Sequence, residues 1–182
     1  GHEYIADHVM EQLVRDARIL PIYEGTNGIQ ALDLIGRKFN IHDGKIINDY
    51  LSEIEQFLIA NADDQNMLKF IKLFKSSFID LKDCVKFIRE IDIKNTKEIN
   101  AHAMDFLNIF ALVAVGYTWL QFIKVSQDKI REKDNPFYLS KIQLGEFFMT
   151  KVIFETKKFK NNIYSSGNLY NQFSDNYFEI GS

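Results

Sequence analysis

A single cysteine, Cys84, leaves nothing for an internal disulfide to close and fits a reducing compartment, so the expected location is cytoplasmic. Only two prolines, Pro21 and Pro136, interrupt the chain, which leaves room for long helices. There is no excess of basic charge. Lys and Arg number 22 against 25 Asp and Glu, a net charge of −3, and the electrostatic footprint of a nucleic-acid binder is missing. His2, His8, His42 and His102 show no spacing that would build a metal site with Cys84. Neither a dinucleotide fingerprint nor a P-loop occurs. The first residues carry Glu3, Asp7, Glu11, Arg15 and Asp16, which does not read as a secretory leader.

What is present is apolar and periodic. Apolar residues make up 46% of 182 residues, enough for a core. From about Asp7 to Leu20 a helix is expected, capped by Asp7, with Val9, Leu13, Ala17 and Leu20 on one face. A second runs from Thr26 or Asn27 to Phe39, with Thr26 as its cap and Ile29, Leu32, Ile35 and Phe39 buried. Asn40 to Gly44 breaks the pattern and marks a module boundary. Four longer helices follow. The first covers Lys45 to Ala60 and the second ends at about Ile91. The third starts with Thr96 as its cap and ends near Arg131; the fourth runs from Asn135-Pro136 to about Asn161. Residues 165–182 have no helical period and read as an irregular tail. The expected fold is all-α: a helical hairpin over 1–40, then an antiparallel four-helix bundle over 44–164.

The stretch Phe106 to Ile123 has only Asn108, Thr118 and Gln121 as polar residues and approaches the length of a membrane span. Its flanks are charged, and the other helices offer apolar faces that need a partner. A central buried helix is therefore expected, with Ala111, Ala114 and Gly116 allowing a neighbour close. The lysines at 157, 158 and 160 read as a solvated helix end.

The most specific stretch is Arg15 to Lys38, centred on Tyr23-Glu24-Gly25-Thr26-Asn27-Gly28. A helix ends near Leu20-Pro21, a glycine-bearing turn follows, and a second helix opens. Gly25 and Gly28 allow close approach of the backbone to a ligand. The free N–H groups at the helix start can face an anion or a developing oxyanion. A carboxylate beside such donors suits a general base next to an activated carbonyl. It equally suits a plain connection in which Glu24 is solvated or caps the helix. Arg15, Asp16 and Arg18 read either as surface charges complementing the helix end or as partly buried supports of the turn.

This stretch resembles the catalytic segment of the acyl-CoA dehydrogenases. Arg15-Asp16-Ala17-Arg18-Ile19, then Ile22-Tyr23-Glu24-Gly25-Thr26, then Gly28-Ile29-Gln30 stand in that family's order without a gap. Ala31 to Lys38 is similar to the bacterial branch that carries an extra C-terminal helical domain. A looser similarity to that extension continues through Phe106 to Phe110, Val113 to Gly116, Trp119, Phe137-Tyr138, Lys141 and Phe147-Phe148. Together the two cover the chain to about Phe159. Gly1 to Tyr4 is similar to a glycine-rich turn of the family, with Glu3 in place of its last glycine. His8-Val9 departs from the usual aromatic pair.

The resemblance implies α,β-desaturation of an acyl-CoA thioester. Glu24 would be the catalytic base, and Gly25 and Tyr23 would meet the substrate. Thr26, Asn27 and Gly28 would meet FAD in the complete enzyme. The partners implied are acyl-CoA, the N-terminal and middle domains, an electron-transfer flavoprotein or similar acceptor, and further copies of the chain. The piece alone is expected to be inactive and to hold no FAD. The other reading is a helical interaction or oligomerisation module left from a truncated gene, with Glu24 idle.

Overall fold

The computed structural model describes residues 10–19, 26–91, 94–132 and 135–165, and among these every regular element is helical. The chain is all-α. In order come α1 (Met10–Ala17), α2 (Asn27–Leu32), α3 (Lys45–Ala60), α4 (Leu68–Glu90), α5 (Thr96–Ala101), α6 (Ala103–Glu132), α7 (Pro136–Phe147) and α8 (Thr156–Ser165). The tail 166–182 lies outside the described residues.

The long helices α4 and α6 carry the core. Phe74, Phe78, Leu81, Val85 and Ile88 line the buried face of α4 at the expected spacing, while Leu68 ahead of them is exposed. On α6 the buried face is Phe106, Ile109, Val113, Tyr117, Leu120 and Ile123. This is the one helix among the described residues long and apolar enough to cross a membrane by length and composition. It packs against α2, α4, α7 and α8. Gly116 and Gly145 permit the closest approaches: a Cβ at Gly116 would lie 2.8 Å from Ile153 Cδ1, and one at Gly145 2.7 Å from Ile123 Cδ1. The α3 helix joins through aromatic contacts, with Phe57 on Tyr117 at 5.5 Å and Tyr50 on Phe110 at 5.6 Å.

Three expected helices are less regular than their patterns suggest. The α2 segment continues as a π-helical turn over Asp33–Arg37 and a 3₁₀ turn over Lys38–Asn40. The stretch expected as one helix from Thr96 is two, because the chain breaks at buried His102. Its cap is Asn95, whose side chain accepts from the Glu98 N–H, and Thr96 is the first helical residue. The last helix is interrupted between α7 and α8 by a π turn (Phe148–Val152) and a 3₁₀ turn (Ile153–Glu155). Asn135 and Pro136 start α7 as expected: the Asn135 side chain accepts from the Phe137 N–H at 2.9 Å.

The turn at 41–44 is left-handed over three residues, His42 (φ 51°), Asp43 (φ 55°) and Gly44 (φ 77°). Arg89 holds it: its guanidinium donates to Asn48 Oδ1 at 2.9 Å and lies over the Phe39 ring. Apolar contacts run across the turn. Ala31, Ile35 and Phe39 before it belong to the same core as Ile47 and Phe106 after it.

Candidate functional site

Glu24, Tyr23 and Gly25 lie outside the described residues. Thr26, Asn27 and Gly28 are described, and they form the start of α2. Thr26 has an extended backbone (φ −69°, ψ 113°), and its Oγ1 accepts from the Ile29 N–H at 3.4 Å, so it is the cap read from the sequence. Thr26 and Asn27 are exposed, and a Cβ built on Gly28 meets nothing within 4 Å.

The inner side of the same segment is anchored. Ala31, Ile35 and Phe39, spaced by one helical turn, enter the core, and Phe39 meets Phe106 edge-on at 5.5 Å. Ile29 and Leu32, expected on the buried face, are 59% and 43% exposed. The physical reason is register: α6 takes the Ala31–Ile35–Phe39 stripe, and Ile29 and Leu32 point away from it. In α1, Leu13 and Ala17 are also exposed, while Val9 and Leu20 lie outside the described residues. Arg15 pairs with Glu11 and Asp16 accepts from Gln12 at 2.7 Å, both on the surface, so these charges hold α1 to itself. Arg18 is exposed.

Just beyond the helix start the charge is ordered. Asp33 accepts two bonds from Arg37, at 2.6 and 3.0 Å, and Lys38 stands 3.2 Å away. The Arg37 hydrogen bond foremost holds the Asp33 carboxyl below its ordinary range. Arg37 and Lys38 also border a cavity of about 390 Å³ whose other walls are apolar, among them Leu34, Ile41, Ile46 and Tyr50. The sequence pattern gave no sign of this cavity, because the left-handed turn that folds Ile41 and Ile46 towards Leu34 depends on Arg89, far along the chain. Among the described residues no group of three or more His, Cys, Asp or Glu is placed to hold a metal ion.

A second polar cluster was missed altogether. Lys160 is not a solvated helix end. It donates to Asp80 Oδ1 at 3.0 Å and to Asp83 Oδ2 at 2.6 Å. Beneath it, buried Thr156 and Ser77 are joined at 3.0 Å, and Ser77 Oγ donates to the Ile153 carbonyl at 3.2 Å. Burial alone would push the Lys160 pKa down; the bonds to Asp83 and Asp80 outweigh it, and the pKa is raised. The cluster clamps α8 to α4.

The described residues form a helical unit with the start of α2 at its surface. The sequence profile of the family described as acetyl-CoA dehydrogenase C-terminal like matches residues 50–171, and the chain belongs to that family. Two butyryl-CoA dehydrogenases of Syntrophomonas wolfei subsp. wolfei are 25% and 24% identical to it, over 158 and 165 residues. A 3-methylmercaptopropionyl-CoA dehydrogenase of Ruegeria pomeroyi is 57% identical over 44 residues, 24% of this chain. The broad-specificity linear acyl-CoA dehydrogenase FadE5 of Mycobacterium tuberculosis is 22% identical over 81% of the chain. The match to each butyryl-CoA dehydrogenase covers 84% of this chain and 26% of the relative, so the chain spans about a quarter of those enzymes.

Proposed function

We propose that the chain is the catalytic-base segment and helical extension of a FAD-dependent acyl-CoA dehydrogenase. Residues 1–40 would end the dehydrogenase's own C-terminal helical domain, 44–164 form the extension, and 165–182 the tail. The observation that carries this is the ungapped run from Arg15 to Gln30 with Glu24 at its centre, ahead of a region that belongs to the family.

In this reading Glu24 takes the α-proton of the thioester. Its own main-chain N–H donates to the thioester carbonyl oxygen, where negative charge develops as the proton leaves. Exclusion of water by the substrate would disfavour the charged carboxylate of Glu24 and so strengthen it as a base. Gly25 would lie against the substrate, with no side chain to hold it off, and Tyr23 would meet the substrate beside it. FAD, when bound, supplies the acceptor for the β-hydride. Thr26, Asn27 and Gly28 would suit one edge of such a group: Thr26 and Asn27 are exposed, and among the described residues nothing lies within 4 Å of a Cβ built on Gly28. They form an edge only, since the large apolar cavity is lined elsewhere. The chain alone is therefore proposed to hold no FAD and to catalyse no turnover. The remaining domains, an acyl-CoA and an electron-transfer flavoprotein or similar acceptor would complete the system, in the cytoplasm.

The test uses the polypeptide as its gene encodes it, with butyryl-CoA and longer saturated thioesters and an artificial electron acceptor. Glu24→Gln should lower kcat by about 10²–10⁴-fold with bound flavin unchanged. Undiminished turnover in that variant removes Glu24 as the base. Turnover by the 182-residue chain with added FAD overturns the proposed inactivity of the piece.

A further inference from the structure

The cavity beside the left-handed turn is walled by branched aliphatic and aromatic side chains. Its volume of about 390 Å³ falls within the range of sites that hold one small molecule, roughly 300–1,000 Å³. The π turn after α2 supplies Leu34, the start of α3 supplies Ile46 and Ile47, and α6 supplies Phe110. Ile47 is buried and Ile46 is half exposed, so the space has an apolar floor and an open side. Arg37 and Lys38 border it too, yet their side chains stay 65% and 50% exposed. Long cationic side chains in such a place lay their stems along the apolar wall and keep their charged ends in water. Arg37 gives two N–H groups to Asp33, whereas Lys38 makes a single contact with it, at 3.2 Å. Among the described residues Asp33 is the one carboxylate paired with either, so two cations stand against one anion and the rim keeps a net positive charge.

We propose that this cavity binds an unesterified fatty carboxylate, with its aliphatic chain inside and its head at the rim beside Lys38. The walls select the chain. They bring one hydroxyl, that of Tyr50, and otherwise hydrocarbon. A nucleotide, sugar or peptide entering here would lose its water with too few partners in return. A plain hydrocarbon chain has no such loss and is stabilised by leaving water. The rim selects the head. Its net positive charge repels an ammonium head and attracts a carboxylate, for which Lys38 still has N–H groups to offer. In a CoA thioester the group at the end of the acyl chain is neutral, and the phosphates lie at the far end of a long arm, away from Lys38. A free carboxylate puts its charge where the chain ends, which is where the cations stand. The site is built from residues 34–50 and Phe110 and needs nothing from Glu24, so it stands or falls apart from the dehydrogenase reading.

Isothermal titration calorimetry of the 182-residue chain with dodecanoate, kept below its micellar concentration, should show one saturable site. Affinity should fall about fourfold for each buried methylene removed, as read with decanoate and octanoate. Dodecyltrimethylammonium, with the same chain and the opposite charge, should bind more weakly than dodecanoate. Lys38→Glu should weaken dodecanoate about 5–10-fold. Ile46→Trp, on the half-exposed wall, should fill the space and abolish binding with unchanged far-UV circular dichroism. If that variant fails to fold, the surface variant Lys38→Glu decides the matter. A wild-type chain without saturable binding overturns the proposal, as does unchanged binding in a folded Ile46→Trp chain. Equal affinity for the ammonium amphiphile, or a Lys38→Glu chain that binds dodecanoate like the wild type, overturns the carboxylate head. Dodecanoyl-CoA binding at this site as tightly as dodecanoate overturns the free acid as the ligand.

Discussion

Lys160 stands in a run with Lys157 and Lys158, yet only those two are exposed. Its ammonium sits between Asp80 and Asp83 on another helix. Asp80 is buried, and removing the cation leaves its carboxylate short of a partner, which costs far more than losing a surface pair. Lys160→Met should lower unfolding stability by about 1–3 kcal/mol, measured by urea denaturation. Lys158→Met should change it by less than about 0.5 kcal/mol. Equal effects would mean that the clamp contributes nothing. Composition gave no hint of the difference between these lysines, because their partners lie on α4, remote in sequence.

At the scale of the element, the buried faces of α3 (Ile47, Ile54) and α4 (Phe74 to Ile88) were legible because both are long helices whose apolar residues keep one unbroken period. The segment from Thr26 was legible in its cap and misread in its face. Its stripe is Ala31, Ile35 and Phe39, and the pattern alone could not say which of two apolar rows α6 would take. Glycine shows the same limit. Gly36 and Gly145 are both inside helical stretches, and propensity favours alanine at each by about 0.5–1 kcal/mol. At Gly36 a Cβ meets nothing, so Gly36→Ala should stabilise by about that amount. At Gly145 it would fall 2.7–2.8 Å from two Ile123 side-chain carbons and 3.3 Å from Trp119. Overpacking outweighs propensity there, and Gly145→Ala should cost about 1–2 kcal/mol net. Thermal or denaturant melts of the two variants give the signs, and a stabilised Gly145→Ala would show that the α6–α7 contact yields freely.

For the whole molecule, acid stability should be set in part at the break between α5 and α6. His102 is fully buried there and meets Phe87 edge-on at 5.8 Å. Burial lowers its pKa from 6.5, against the opposing pull of Glu98 and Asp105. The unfolded chain therefore takes up this proton first as pH falls. Stability should drop as pH goes down through and below about 6.5, the reverse of a histidine gaining a partner. Denaturation measured from pH 7 to pH 5 should show a shallower decline in His102→Gln than in the wild type. Identical slopes would mean that another group carries the acid sensitivity.

Local spacing and an ungapped motif were enough to read the helical class, the cap at Thr26, the start of a helix at Asn135-Pro136 and the family. Tertiary structure alone decided which apolar rows are covered and which lysine is a clamp. It also decided where the last two helical runs break and that apolar walls meet in a cavity beside Arg37 and Lys38. Local pattern sets what a helix can offer, but burial, close approach and charge pairing belong to pairs of helices, and their partners are chosen in three dimensions.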